Sequence, residues 1–249
     1  MRLLLLAAVL IAMPAQAAQC VAESGAGTTA LVELYTSEGC SSCPPADRWL
    51  SGLPQRYPAE RVVPLALHVD YWDYIGWKDP YAKREFSLRQ RKLSQLQRMA
   101  MVYTPQVVLQ GRDFRAWGGR AFDEAVARIN AEPARARLRL RILAAEPAGL
   151  DVEASAELLQ PADEALLYLA AYQSRLESQV TAGENRGRRL HHDYVVLEWQ
   201  GPFPVAGRAA ERRRLGLLPG ATPASSGAAA FVQDRRTGAV LQAVLRSPC

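Results

Sequence analysis

The sequence predicts an α/β domain over residues 19–134, followed by an antiparallel β-rich, sandwich-like region over residues 135–249 that packs on it. Two patterns indicate this division. In the first part, apolar strand-like runs alternate with segments of helical spacing, which is typical of α/β domains. In the second part, apolar and charged residues alternate with a period of two, as at Leu138, Leu140 and Ile142. This period is typical of antiparallel strands that bury one face.

The N-terminus has the organisation of a secretory signal peptide over residues 1–18. Arg2 is followed by the apolar run 3–12, and the small residues 15–17 (Ala-Gln-Ala) form a cleavage site. The apolar run is too short to cross a bilayer, and no later stretch of the sequence is long and apolar enough. We therefore expect a periplasmic or secreted protein without stable membrane insertion.

The cysteines form two separate pairs. Cys20 and Cys249 stand at the two ends of the mature chain, and the termini of compact domains often lie close together. We therefore predict a structural disulfide between Cys20 and Cys249, apart from the pair Cys40 and Cys43. An exported protein meets an oxidising compartment, in which such a bond persists.

Cys40 and Cys43 follow an apolar strand and stand at the start of a segment with helical spacing. At a helix N-terminus, backbone N–H groups and the helix dipole stabilise a thiolate, which favours redox chemistry. Zinc binding would need further ligands, and the chain has no second Cys-x-x-Cys. A c-type haem would need a histidine after the second cysteine, where this chain has Pro44. We predict redox function, with metal binding and a purely structural disulfide as the alternatives.

Glu33 interrupts the strand that precedes the cysteines. One interpretation places its carboxylate at an edge or on a solvent-facing side of the sheet. The other makes Glu33 a buried acid beneath the thiols that accepts a proton. We favour the first interpretation, because an exposed carboxylate is the commoner case.

The region from about residue 29 to 132 resembles the thioredoxin fold. Its order is strand, Cys-x-x-Cys helix, strand, helix, hairpin and helix, and Thr104-Pro105 stands just before the hairpin. The resemblance places Thr104-Pro105 at the position of the cis-proline that faces the cysteines, and it implies a role in docking substrate. The aromatic Trp72 is a further predicted substrate-binding residue, or part of a packed loop.

Two segments are also similar to the DUF1223 family of exported, thioredoxin-like proteins of uncharacterised function. They are Glu33 to Asp47, which contains both cysteines, and the later segment 182–193 (Ala-Gly-Glu-Asn-Arg-Gly-Arg-Arg-Leu-His-His-Asp). This resemblance covers nearly the whole mature chain. It implies a fold and a compartment, and it implies no substrate.

The polar segment from Gly183 to Asp193 allows two interpretations. It is either an exposed hairpin loop or a set of side chains that project beside the thiols and bind a substrate. Under the second interpretation the substrate-binding residues are Glu184, Asn185, Arg186 and His191.

These observations predict a thiol–disulfide oxidoreductase with no cofactor. Cys40 is the expected nucleophile and Cys43 the resolving thiol. Its partners would be a protein or small-molecule thiol or disulfide and a redox partner protein. The net charge of +5 is mild and no dense Lys/Arg face appears, so we expect no nucleic acid. The alternatives are a copper-binding protein that uses both cysteines with His191 or His192, and a redox-silent binding protein on the same scaffold.

Overall fold

The computed structural model of the protein describes residues 20–162 and 164–249. The predicted signal peptide over residues 1–18 lies outside the described residues. The described chain is β-rich, and its strands form an eight-stranded, a four-stranded and a two-stranded sheet. Within the described residues, no helix is long and apolar enough to cross a membrane.

The strands are β1 (Cys20–Glu23), β2 (Ala30–Thr36), β3 (Val62–His68), β4 (Gln106–Leu109), β5 (Arg112–Asp113), β6 (Ala136–Glu146), β7 (Gly149–Leu158), β8 (Ala165–Gln173), β9 (Leu176–Gln179), β10 (Arg189–His192), β11 (Val195–Val205), β12 (Arg208–Gly216), β13 (Ser226–Asp234) and β14 (Val240–Arg246). The helices are α1 (Pro44–Ser51), α2 (Leu53–Arg56), α3 (Arg84–Leu96) and α4 (Arg120–Ala131), and a 3-10 helix spans Asp70–Ile75.

The eight-stranded sheet has the order β14-β13-β8-β11-β3-β2-β4-β5. Strands β2 and β3 are parallel, and β4 and β5 continue the sheet in antiparallel pairs. On the other side, β11 joins β3 in parallel where Val195 stands opposite Ala66. Strands from both sides of the boundary at residue 134 therefore share one sheet, and the division into two domains stays a prediction.

Strand β2 is buried along its whole length because helices cover both faces of this part of the sheet. Val32 and Leu34 pack into a core with residues of α1, α2 and α4. Leu31 and Tyr35 point to the opposite face, where they share a core with Phe86 of α3. A strand that is covered on both faces has a nearly continuous apolar sequence, which is the pattern that β2 shows.

The region after α4 buries one face of a sheet and exposes the other. The four-stranded sheet has the order β1-β6-β7-β12, and burial alternates along β6. Leu138 and Leu140 of β6 pack with Leu167 of β8 and Ala230 of β13, so this sheet and part of the eight-stranded sheet enclose a common core. The prediction of antiparallel strands with a period of two is confirmed.

Glu33 is fully buried, so the prediction that it faces solvent is wrong. Arg89 of α3 donates to both of its carboxylate oxygens, with Nε to Oε1 at 2.5 Å and Nη2 to Oε2 at 3.0 Å. The guanidinium carbon lies 4.5 Å from the centre of the Trp199 ring and 5.1 Å from that of Phe231. The sequence of β2 does not show that Glu33 is buried, because the burial comes from α3, which covers the face on which Glu33 lies.

The two ends of the described chain are joined by the disulfide between Cys20 and Cys249, whose Cα atoms are 5.5 Å apart. Cys20 opens β1, and Cys249 follows β14. The bond closes a loop with a sequence separation of 229 residues.

Candidate functional site

Cys40 and Cys43 form a disulfide in the turn between β2 and α1, with their Cα atoms 5.4 Å apart. The Cys43 N–H donates to the Cys40 carbonyl oxygen at 3.2 Å, and Cys43 is the N-cap residue of α1. Pro44 and Pro45 occupy the first two helical positions, where their missing N–H groups cost the helix nothing. The same two residues remove donors that a helix N-terminus otherwise offers to a thiolate.

The two cysteines are almost completely buried, with 1% of Cys40 and 0% of Cys43 exposed. The 3-10 helix lies against their turn, because a Cβ atom at Gly39 would stand 3.1 Å from Trp72 Cβ. Trp72 also donates from Nε1 to Thr104 Oγ1 at 2.7 Å. A large partner therefore reaches Cys40 only after neighbouring groups move.

The Thr104–Pro105 peptide bond is cis, the form that the resemblance to thioredoxins implies. Pro105 directly precedes β4, whose Gln106 pairs with Tyr35 near the end of β2. Residues 37–43, the turn that contains both cysteines, follow that same end of β2, and we call them the cysteine turn. The structure thus brings Trp72, Thr104 and Pro105 to the end of β2 that precedes the cysteines, and their role in binding substrate stays a prediction.

The segment from Gly183 to Arg188 reaches the cysteine turn from the β9–β10 hairpin. The Ser41 N–H donates to Glu184 Oε2 at 2.9 Å. Asn185 donates from Nδ2 to the carbonyl oxygens of Glu38 at 2.8 Å and Cys40 at 3.0 Å. Asn185 has no exposed surface, and its side chain holds the cysteine turn to the segment. Its role in binding substrate stays a prediction.

Arg186 and His191 are exposed. His191 of β10 stands opposite Glu177 of β9, and its Nδ1 lies 3.0 Å from Glu177 Oε1. Neighbouring residues of a strand point to opposite faces, so His192 points inward where His191 points outward. Of the predicted substrate-binding residues in this segment, Glu184 and Asn185 form hydrogen bonds with the cysteine turn, and Glu184 is the exposed one of the two.

A buried network of acids and histidines lies next to the cysteines, and the sequence analysis did not predict it. Glu38 accepts from Trp77 Nε1 at 2.8 Å, and its Oε1 lies 3.0 Å from His192 Nε2. The Glu38 N–H donates to Asp79 Oδ2 at 2.8 Å, and the same oxygen lies 2.7 Å from His68 Nδ1. No local pattern indicates these contacts, because His192 follows Glu38 by 154 residues.

Burial and charge act against each other in this network. Burial lowers the pKa of His68, but the Asp79 carboxylate raises it more, so the pKa of His68 lies above its usual value. Burial likewise raises the pKa of Asp79, yet the His68 imidazolium and the backbone N–H groups lower it below its usual value. The pKa of the nearby Asp47 is raised by burial, which outweighs the opposing charges of His192 and His68.

We expect the free energy of unfolding to fall as the pH rises above about 6.5, the pKa of an unperturbed histidine. A histidine whose pKa is higher in the folded state stabilises the fold fully below its unfolded pKa. That stabilisation disappears as the pH rises through the folded pKa of His68. Urea unfolding at several pH values measures the trend, and Glu177→Gln, at the exposed His191 pair, should leave it unchanged. A flat or rising profile from about pH 6 to pH 9 would contradict the expectation.

The described part of the chain contains no cluster of side chains that is ready to bind a metal ion. Within residues 20–162 and 164–249, no group of three or more His, Cys, Asp or Glu side chains is placed to hold a metal ion. His192 Nε2 already lies beside Glu38, and His191 is paired with Glu177.

Two solved structures are similar to this chain. A crystal structure of a protein from Agrobacterium tumefaciens shares 25% of its sequence, with a TM-score of 0.62, and the match covers 90% of this chain and 96% of that one. HBP35 of Porphyromonas gingivalis shares 16%, with a TM-score of 0.67, over 90% of this chain and 76% of that one. At this identity the likeness to HBP35 shows the fold alone. No curated protein matches the chain.

The family model of DUF1223, described as a protein of unknown function, matches residues 31–233. This span includes the cysteine turn, the buried network and the segment from Gly183 to Arg188. Because the match covers most of the chain, the protein belongs to the DUF1223 family.

Proposed function

We propose that the protein is a periplasmic thiol–disulfide oxidoreductase that acts through Cys40 and Cys43 in a thioredoxin-like domain. The observation that carries the proposal is the position of the Cys40–Cys43 disulfide. It stands between β2, a strand inside the eight-stranded sheet, and the first residue of α1. Ligands of open α/β sheets commonly bind at the carboxyl ends of the strands, which is where this turn lies.

The arrangement around β2 supports the thioredoxin-like domain. Strands β3, β2, β4 and β5 are neighbours in that order, with one parallel pair followed by antiparallel pairs. Helices α1 and α4 share a core on one face, and α3 packs on the other face. The two disulfides of the described chain favour an oxidising compartment such as the periplasm.

The proposed exchange has two steps. The Cys40 thiolate of the reduced protein attacks a substrate disulfide, whose S–S bond breaks as a bond to Cys40 Sγ forms, and the released sulfur takes up a proton. Cys43 then loses its proton and attacks Cys40 Sγ, which closes the Cys40–Cys43 disulfide and releases the second substrate thiol. The protein gives up two electrons and two protons, and the substrate gains them; the reverse reaction oxidises a dithiol.

Asp47 is the buried group best placed to exchange a proton with Cys43. The two residues are four apart at the start of α1, so they lie on the same face of the helix. Thr36 donates to Asp47 Oδ1 at 2.7 Å, and His192 Nδ1 lies 4.0 Å from Asp47 Oδ2. Burial raises the pKa of Asp47, which moves its proton exchange closer to neutral pH.

The test measures disulfide exchange and the reduction potential of the Cys40–Cys43 pair. We expect the protein to accelerate exchange between a peptide disulfide and dithiothreitol. A potential near about −120 mV would indicate disulfide donation, and one near about −270 mV would indicate reductase work. The matched control is the double variant Cys20→Ser/Cys249→Ser, which keeps Cys40 and Cys43 and should remain active. A rate equal to that of dithiothreitol alone would contradict the proposal.

Copper binding by the reduced protein is tested separately. The reduced protein is titrated with Cu(I) under anaerobic conditions. Tight, stoichiometric binding that requires Cys40 and Cys43, in a protein without exchange activity, would replace the oxidoreductase with a soft-metal protein.

A further inference from the structure

We propose that Glu184 is a positioning residue that disfavours the Cys40 thiolate and so holds the Cys40–Cys43 pair in its disulfide form. The inference rests on the proposed redox function, and it assigns regulation of that site to the region after α4. Glu184 thus sets how strongly the pair reduces a partner, and it does not itself take part in the exchange.

The first observation is the position of the Glu184 carboxylate. Its Oε2 accepts the Ser41 N–H at 2.9 Å, and Ser41 directly follows Cys40. Standard bond lengths keep the Ser41 nitrogen within about 5 Å of Cys40 Sγ, so the carboxylate oxygen lies at most about 8 Å from the sulfur. A negative charge at this distance opposes the formation of a second one on Cys40.

The second observation is that most backbone donors at the turn are already in use or missing. Ser41 gives its N–H to Glu184, and Cys43 gives its N–H to the Cys40 carbonyl oxygen at 3.2 Å. Pro44 and Pro45 have no N–H group to give. The Ser42 hydroxyl lies 3.3 Å from Cys40 Sγ and can donate to a thiolate there. A thiolate on Cys40 therefore has this hydroxyl as a donor, but it lacks the N–H groups at Ser41, Cys43, Pro44 and Pro45 that a helix N-terminus usually provides.

The third observation is that Glu184 is held in place and stays charged. The neighbouring Asn185 is buried and donates to two carbonyl oxygens of the cysteine turn. Gly183 has a φ of +71°, and a Cβ there would stand 2.9 Å from Ile75 Cδ1. The hydrogen bond from the Ser41 N–H lowers the pKa of Glu184. None of the ion pairs between described residues includes Glu184, so its charge is not neutralised by a neighbouring cation.

The experiment compares the thiol pKa of Cys40 in two proteins. A Cys43→Ser background leaves Cys40 as the titrating thiol, and thiolate absorbance follows its ionisation. Glu184→Gln retains an oxygen that accepts the Ser41 N–H and removes the charge. We expect this substitution to lower the Cys40 pKa by about half a unit to one unit, a three- to tenfold increase in its acid dissociation constant.

The reduction potential gives an independent measurement in proteins that keep both cysteines. At a pH above the Cys40 pKa, where the reduced protein carries the thiolate, equilibration with mixtures of oxidised and reduced dithiothreitol should give Glu184→Gln a reduction potential that is less negative by about 15–30 mV, the equivalent of a three- to tenfold change. Glu184→Asp retains the charge, so its Cys40 pKa and its reduction potential should lie closer to the wild-type values than those of Glu184→Gln. Glu177→Gln, which removes an exposed carboxylate from the same hairpin, should leave both values unchanged.

Equal values for the wild type and Glu184→Gln would overturn the inference, and so would equal shifts in Glu184→Gln and Glu177→Gln. Neither measurement requires a substrate. A wild-type protein that fails to accelerate disulfide exchange would overturn the proposed function, and the two failures are therefore distinguishable.

Discussion

Replacing Cys40 by Ser should reduce disulfide exchange to the rate of the buffer thiol alone. A serine hydroxyl cannot form the mixed disulfide through which the exchange passes, and it leaves Cys43 without a partner. Cys43→Ser should behave differently, because Cys40 still attacks the substrate and nothing releases it. We expect a mixed disulfide in which one peptide thiol is bonded to Cys40 Sγ, and the mass of the protein should rise by that of the attached peptide.

The two variants are assayed with the same peptide disulfide, by exchange rate and by mass spectrometry without a reducing agent. Addition of dithiothreitol should release the peptide from the Cys43→Ser protein. Cys40→Ser should form no adduct, because the proposed exchange assigns the attack on the substrate to Cys40 and only the closing step to Cys43. Wild-type exchange rates in Cys40→Ser, or adducts on Cys43 alone, would contradict the assignment of the nucleophile.

Arg89→Met should destabilise the protein by about 3–5 kcal/mol, because it leaves the Glu33 carboxylate buried without a partner. Glu33 has no exposed surface, and Arg89 supplies two hydrogen bonds to it. Methionine retains an apolar side chain against the Trp199 and Phe231 rings, so the loss reports mainly the unpaired charge. Urea unfolding with circular dichroism measures the difference.

Two matched variants separate the buried charge from general damage. The double variant Glu33→Leu/Arg89→Met removes both charges and should recover part of the lost stability. Arg120→Met breaks the exposed pair between Arg120 and Glu124, and it should cost less than about 1 kcal/mol. A loss of less than about 1 kcal/mol in Arg89→Met would show that the buried pair contributes little.

Local patterns predicted the buried strand β2 and the alternating strand β6. The continuous apolar run of β2 and the alternation of β6 each report how many faces of the strand are buried, and short-range spacing carries that information. The two prolines after Cys43 fixed where α1 begins, since they fit only in a first turn. The pairing of Cys20 with Cys249 was predicted from their positions at the two ends of the chain that follows the predicted signal peptide.

The polar contacts that Glu33 and Asn185 make with distant segments were not predicted. Glu33 looked like a solvent-facing residue, because nothing near it in the sequence shows that Arg89 of α3 covers it. Asn185 looked like a ligand of substrate, and its fully buried amide binds the carbonyl oxygens of Glu38 and Cys40. Such polar pairs follow no period, so a single sequence gives no signal for them.

The sequence by itself determined the apolar strand β2, the alternating strand β6, the two cysteine pairs and the membership of the DUF1223 family. Each depends on residues that are close together, at the chain ends, or in a family-specific segment. Only the tertiary structure decided what surrounds Cys40 and Cys43. There, Glu184 reaches the Ser41 N–H, and His192 reaches Glu38, from another part of the chain. The physical reason is that hydrogen bonds and charges act through distance in space, and the β9–β10 hairpin lies against the cysteine turn although it is distant in sequence.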